Sequence, residues 1–541
     1  MTRIELFDTT LRDGCQGSGI SFSVRDKVQV VKILDRLGID WVEGGWPGAN
    51  PKDTAFFEAM RTEPLTHAQL VAFGSTRRAS YRAEDDPGLI QLTQCSVKAF
   101  CIFGKSWTLH VTQGLRVSLD QNLALIADSI AFLKKYGEVF YDAEHFFDGY
   151  KADPAYALQT LQAAADSGAR TLVLCDTNGG TMPWEIEAIV GEVAARFPTL
   201  PLGIHAHNDS GLAVANTLAA VRAGVCHVQG TLNGYGERTG NAQLSTIIAD
   251  LLLKMKAELT SPIDLKELTA ACRSIAELAN LPLPENTPYV GRSAFAHKGG
   301  VHVAAVNVDP HMYEHVPPEA VGNSRRVLVS EQSGRANLLV AGDPDAADTA
   351  QASAALTALL GRTPTRQEAA QLVEEVKRLE FGGYSFEEAE GSLVLIATRL
   401  FGLPLPVEPL AYHVAIDEHS DRPVSEATVQ IKVGGTLMHT AAAGNGPVHA
   451  LDQALRKALV PHFPELAQVR LLDYKVRVLD GDSGTQAQVR VTITSALRER
   501  QWGTVGLSTN VVNASWQALW ESLAYPIALH LVAQQETPAL L

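Results

Sequence analysis

Two histidines stand one residue apart at the end of an apolar run, in GIHAHNDSG (203–211). On a strand, residues i and i+2 face the same side. His205 and His207 therefore present both imidazoles to one place, an arrangement suited to a divalent cation. Other polar side chains follow apolar runs in the same way. Asp8, Arg12 and Asp13 lie in DTTLRDG, Asp142 and Glu144 close EVFYDAE, and Asp176, Thr177 and Asn178 follow TLVLC. Glu237, Arg238 and Asn241 lie in NGYGERTGNA. Two imidazoles with oxygens from Asp13 and Asn241 leave coordination positions for a substrate, a donor set open to Zn²⁺, Mn²⁺, Co²⁺ or Mg²⁺. Each residue alone has an ordinary explanation. An H-x-H pair is commonly buried or solvated, Asp13 could cap a helix, and Asn241 could serve a turn. Cys15 is a soft donor beside Asp13, but its place on a turn points it elsewhere. Asp8 reads as support for the ligands rather than as one of them.

The elements that must position these groups are legible in the first 265 residues, where short apolar runs alternate with amphipathic segments. The runs are IELFD (4–8), WVEGG (41–45), LVAFGS (70–75), VKAFCIFG (97–104), EVFYDAE (138–144), TLVLCDT (171–177), LGIHAHN (202–208) and HVQGTLN (227–233). Eight strands with intervening helices, such as 24–38 and 122–137, predict a (β/α)₈ TIM barrel over 1–265. An open doubly wound sheet is the alternative, but the first strand leads into DTTLRDG rather than a Gly-rich phosphate loop. Barrel closure makes the first, seventh and eighth strands neighbours and brings Asp13, His205, His207 and Asn241 together. Residues 266–405 read as helical linker subdomains that include the loop SAFAHKGGVHVAAV, with Pro-rich GLPLPVEPL (402–410) as a linker. The segment 406–541 reads as an α+β module with an internal repeat. HTAAAGNGPVHALDQALRKAL (439–459) aligns without gaps on GTVGLSTNVVNASWQALWESL (503–523), which suggests a duplicated ββα unit. It carries no cluster of catalytic groups, so structural or regulatory work is expected of it.

The bulk numbers agree with a multidomain globular chain of 541 residues. Its formal net charge of −15 argues against a general nucleic-acid or membrane-surface binder. No apolar run is long enough to span a bilayer, and the N-terminus lacks the apolar core of a signal peptide. Six cysteines without a C-x-x-C pair suggest reduced thiols and a cytoplasmic protein.

LFDTTLRDGCQG, EGGWPGANPKD, GIHAHNDSG, LNGYGERTGNA and AHKGGVHVAAV resemble the 2-isopropylmalate, homocitrate and citramalate synthases of the barrel metallolyase superfamily. GISFSVRDK, EGGWPGANPKD, AHKGGVH and YEHV most resemble the (R)-citramalate branch. The resemblance covers nearly the whole chain and implies condensation of acetyl-CoA with a 2-keto acid, followed by thioester hydrolysis. For the citramalate branch it implies pyruvate and isoleucine biosynthesis; 2-isopropylmalate (2-ketoisovalerate, leucine) or homocitrate synthesis is the alternative. It further implies Asp13, His205, His207 and Asn241 as metal ligands, and Arg12 as stabiliser of the alkoxide. Glu144 and His302 are implied at proton removal from the acetyl methyl, with Tyr313 nearby. Gln16 and Thr177 are implied in substrate binding. In this family the segment holding His302 reaches a neighbouring subunit's barrel. The C-terminal module resembles a regulatory dimerisation domain, which implies a homodimer and an isoleucine or leucine effector held at the helix N-termini after AAGNGP and STNV. One departure stands out. Some citramalate synthases carry a tyrosine two residues before the glutamate matching Glu144, where this chain has Asp142. A cleaving lyase related to 3-hydroxy-3-methylglutaryl-CoA lyase is a rival reading, but GYGERTGN lacks that enzyme's cysteine. A non-catalytic amino-acid sensor is a second rival.

Overall fold

The computed structural model describes residues 3–306, 308–327, 357, 360–362, 364–417, 424–479, 481–498 and 500–535. The chain divides into two compact units, Met1–Ala294 with Val316–Asn323, and Phe295–His315 with Ser324–Leu541.

The first unit holds a closed parallel barrel. Its strands are β1 (Glu5–Asp8), β2 (Trp41–Gly45), β3 (Gln69–Ser75), β4 (Ala99–Lys105), β5 (Glu138–Glu144), β6 (Thr171–Asp176), β7 (Leu202–Ala206) and β8 (His227–Gly230). Closure runs through β1 and β8, with Glu5 opposite His227 and Asp8 opposite Gly230. Phe7, Trp41, Val71, Phe73, Ala99, Cys101 and Phe140 make one buried cluster drawn from five strands. The helices start where capping chemistry permits. Ser23 accepts from the Asp26 amide and Asp26 accepts in return, which opens Val24–Leu37. That helix stops at Gly38, whose φ of 95° is left-handed. A Cβ there would lie 2.5 Å from the Pro262 carbonyl oxygen. Ser118 and Gln121 form the same reciprocal cap before Leu119–Leu133.

In the second unit, β9 (Ala296–His297) pairs in parallel with β10 (Arg326–Val327). The helix Gly300–Val306 occupies part of the stretch expected as a loop, because VHVAAV is apolar enough to hold a short turn of helix. The C-terminal repeat is larger than the ββα unit expected. β11 (Val407–Asp417), β12 (Val424–Val433) and β13 (Thr436–Gly444) precede the helix Pro447–Leu459. β14 (Arg470–Val478), β15 (Val489–Leu497) and β16 (Arg500–Ser508) precede Val511–Gln535. Each unit is therefore βββα with an antiparallel sheet. The first strand of each copy escapes a pattern reading for a physical reason. β11 begins inside the Pro-rich stretch expected as a linker, and Pro409 is accommodated beside a register shift on an edge strand. β14 is also an edge strand, exposed along most of its length, so it lacks clean alternation. No described helix is long and apolar enough to cross a membrane.

Candidate metal centre and active site

The ends of β1, β7 and β8 converge as barrel closure requires. His205 lies within β7, and His207 follows it in a bridge to Asn241. Asp13 sits in the turn after β1, its amide bonded to the Thr9 hydroxyl at 3.2 Å. Asp13 Oδ2 lies 3.6 Å from His205 Nε2 and 4.0 Å from His207 Nε2. These three are the only such cluster of potential ligands among the described residues, and all three are buried. Asn241 donates its Nδ2 hydrogens to Asp13 Oδ1 at 2.9 Å and to the Tyr235 carbonyl at 3.0 Å. Its Oδ1 is left buried with no hydrogen-bond partner among the described residues. A buried unpartnered amide oxygen is costly unless something electropositive meets it.

The protonation states suit a cation. Burial alone would raise the Asp13 carboxyl, but Arg12, the two histidines and Asn241 outweigh it and hold the group well below the usual carboxylate range. Burial and the neighbouring His205 push His207 down to about 4, so it is neutral at pH 7. The neutral His207 imidazole, the His205 ring, a carboxylate and an unpartnered amide oxygen fit a borderline divalent cation.

Arg12 lies beside this cluster, donating Nη1 to Asp13 Oδ2 at 2.6 Å and Nε to Glu43 Oε2 at 2.5 Å. Its guanidinium carbon stands 3.7 Å from the centre of the Phe73 ring. Burial disfavours the charge, yet Glu43, Asp13 and Asp142 keep Arg12 firmly protonated. Glu43, fully buried in the middle of β2, also accepts from the Thr9 hydroxyl at 2.6 Å. Sequence reasoning passed over Glu43. Its signal was a lone carboxylate in the otherwise apolar strand WVEGG, which must be paired if the strand is buried.

The remaining expected residues fall as follows. Glu144 ends β5 and is ion-paired with Lys105 from the end of β4. The Thr177 hydroxyl oxygen accepts from the His145 amide at 2.9 Å. Arg238 ties loops together, donating to the Thr177 carbonyl at 2.7 Å and to both Asp209 oxygens at 2.8 and 2.9 Å. Gln16 is exposed and lines a cavity of about 360 Å³ with Arg12, Lys27, Trp46 and Lys52. Cys15 points away from the cluster, its thiol 3.2 Å from the Leu11 carbonyl oxygen. Asp8 supports the loops rather than the cluster. It accepts from the Thr10 amide and hydroxyl and from the Leu232 amide, joining the loops after β1 and β8.

His302 and Tyr313 belong to the second unit, where their rings lie 4.3 Å apart between centroids. Glu314 fixes the two segments that carry them, accepting from His297 Nε2 at 3.0 Å and from Arg325 at 2.6 Å through two nitrogens.

A parallel barrel with this donor set at its C-terminal rim defines a class of metal-site barrel proteins. Consistent with that class, residues 3–275 match the HMGL-like family, 289–340 match the homocitrate synthase post-HMGL domain-like family, and 406–526 match the LeuA allosteric (dimerisation) domain. The (R)-citramalate synthase of Geobacter sulfurreducens is 51% identical over 97% of this chain and 98% of its own. That of Aquifex aeolicus is 48% identical over the same shares. The 2-isopropylmalate synthase of Shewanella frigidimarina is 30% identical over 96% of this chain and 94% of its own. The chain belongs to the (R)-citramalate synthase family of HMGL-like barrel enzymes.

Proposed function

We propose that the chain condenses acetyl-CoA with pyruvate and water to give (R)-citramalate and free CoA, a step of isoleucine biosynthesis. The observation that carries the chemistry is the buried convergence of Asp13, His205, His207 and the unpartnered Asn241 oxygen beside protonated Arg12. Those four residues would hold a divalent cation, which would supply Lewis-acid polarisation of the keto-acid carbonyl. Arg12 is placed to stabilise the alkoxide oxygen that develops when the acetyl carbon attacks. Thr177 retains its hydroxyl hydrogen for a keto-acid carboxylate oxygen, and Gln16 stands on the adjoining cavity for the acetyl-CoA side. Glu144, ion-paired with Lys105, is assigned to the acetyl-methyl proton. His302 and Tyr313 are assigned to proton handling at the same step. The choice of pyruvate rests on 51% identity to a citramalate synthase against 30% to a 2-isopropylmalate synthase. We further assign residues 406–526 to a homodimer contact and to an isoleucine or leucine effector.

The test is CoA thiol release from acetyl-CoA with pyruvate, 2-ketoisovalerate, 2-ketobutyrate, 2-oxoglutarate and glyoxylate in parallel. The expected result is strong release with pyruvate, lost on chelation and restored by Mn²⁺, Zn²⁺, Co²⁺ or Mg²⁺. Release with 2-ketoisovalerate alone would transfer the enzyme to leucine synthesis. Silence with every acceptor would overturn the proposal in favour of a lyase or a sensor.

A further inference from the structure

A file of polar groups, buried from His227 onward, runs through the barrel from the first residues of β1 and β8 to His205 at the other end. Arg170 donates Nη2 and Nη1 to the two Glu5 oxygens at 2.5 and 2.8 Å. Glu5 Oε2 lies 3.4 Å from His227 Nδ1. Gln229 Nε2 lies 3.5 Å from His227 Nε2 and 3.2 Å from Asp142 Oδ1. Gln229 Oε1 lies 2.8 Å from His205 Nδ1. His227 and Gln229 are fully buried, and Asp142 nearly so.

With Asp142 as its carboxylate, one arrangement of protons satisfies every contact. Glu5 is held ionised by Arg170, and a carboxylate only accepts. His227 must then carry its hydrogen on Nδ1, which leaves a lone pair on Nε2. The Gln229 amide faces two acceptors on one side, His227 Nε2 and the Asp142 carboxylate. Its NH₂ must point there, because the flipped amide would set oxygen against carboxylate. Oε1 is left for His205, whose Nδ1 must therefore carry the hydrogen. The His205 Nε2 lone pair then faces Asp13 and His207. Gln229, like Glu43, is a polar residue within a strand that closure buries, and nothing in HVQG alone marks its partner.

We infer that Glu5, His227, Asp142 and Gln229 are positioning residues that lock His205 into the Nδ1–H tautomer and aim its Nε2 lone pair at the cation site. The inference rests on the metal-site reading above. It also gives a role to Asp142, the departure noted in the sequence: it anchors the amide that orients a ligand. Outer-shell partners of a ligating histidine commonly change metal affinity by about 10- to 100-fold.

The experiment titrates the metal-free full-length protein with Co²⁺, reading affinity by competition and geometry by the visible absorption bands, with thermal melts as a control for folding. The wild type should bind one Co²⁺, and His207→Ala should not. Gln229→Leu should bind about 10- to 100-fold more weakly with shifted bands. Glu5→Gln, remote from the site and nearly isosteric, should weaken Co²⁺ binding at least threefold even if Gln229→Leu does not fold. Failure of the wild type to bind would overturn the metal site and this inference together. Wild-type affinity and bands in both Gln229→Leu and Glu5→Gln would overturn the tautomer lock alone. If Gln229→Leu does not fold, unchanged binding in Glu5→Gln overturns it.

Discussion

Arg12 joins two carboxylates with different jobs, one buried in the wall and one at the cation site. Lysine at this position keeps the charge but cannot serve Glu43 and Asp13 from separate nitrogens of a planar fork. Arg12→Lys should lower kcat by about 100-fold, the scale of losing one preorganised donor at a developing oxyanion. The KM for the keto acid should move much less, and steady-state CoA release separates the two. Equal losses in 1/KM and no change in kcat would assign Arg12 to ground-state binding instead. Glu5 gives a prediction in pH. Burial raises its carboxyl, but bonds from His227 and Arg170 outweigh this and bring it from 4.5 to about 2. A lowered folded-state value stabilises the protein above the unfolded value and ceases to do so as pH falls. The wild type should therefore lose on the order of 1–2 kcal/mol from this partly solvent-screened group as pH falls from 4.5 to 2. Urea unfolding across that window should show a flatter acid limb for Glu5→Gln, which starts less stable at pH 7.

Elements meet the site through their connections, and Lys27 is the clearest case. It is 2% exposed, and its ammonium donates to the Leu11 carbonyl at 2.9 Å and the Gly44 carbonyl at 3.0 Å while pairing with Asp53. Asp53 in turn accepts from the Trp46 amide at 2.9 Å. One buried ion pair thus joins the helix Val24–Leu37, the turn carrying Arg12 and the loop after β2. Lys27→Met should cost about 3–5 kcal/mol, because Asp53 is left buried and unpaired. Adding Asp53→Asn should recover much of that loss, and urea midpoints of the two variants decide it. A double variant no more stable than the single would mean that packing, not the stranded charge, is responsible. Such pairs mark the limit of what the sequence discloses. The eight barrel strands were legible because each is a short apolar run between amphipathic helices, and closure pointed to the cluster of Asp13, His205, His207 and Asn241, a reading that the family resemblance strengthened. Glu43, Lys27 and Gln229 were not, since their charged partners Arg12, Asp53 and Asp142 lie 31, 26 and 87 residues along the chain and become neighbours only after the barrel closes. The edge strands β11 and β14 were missed for the opposite reason: half-exposed strands carry a weak pattern.

At the scale of the whole molecule, the second unit tests whether regulation can be cut away from catalysis. Its core is one buried cluster that reaches from Ala369 and Leu393–Ala397 to Trp502, Leu519 and Ile527. The helix Glu390–Leu400 is buried on residues Gly391 through Thr398. Ser392 donates no more than a hydroxyl to this packing, yet that oxygen accepts from the Val505 amide at 2.8 Å, and a Cβ on Gly391 would lie 2.9 Å from the Gly503 carbonyl oxygen. A chain ended at residue 405 would therefore strip β16 and its helix from this face and leave Leu393, Val394, Leu395 and Ile396 uncovered. Exposed apolar surface of that kind drives association. The truncated chain should elute as aggregate in size exclusion and bind a hydrophobic dye, so loss of effector inhibition in it would say nothing about where an effector sits. The sounder test keeps the chain whole. Asn510 caps Val511–Gln535 by accepting from the Val512 amide at 2.9 Å, whereas Gly446, before Pro447–Leu459, offers no side-chain cap. The carboxylate of the effector proposed above would meet amides without a side-chain cap at Pro447–Leu459 and a competitor at Val511–Gln535. Gly446→Asp places a fixed negative charge where that carboxylate would lie. It should raise the isoleucine concentration for half-inhibition at least tenfold while leaving uninhibited turnover within about twofold; unchanged inhibition would move the effector away from this helix.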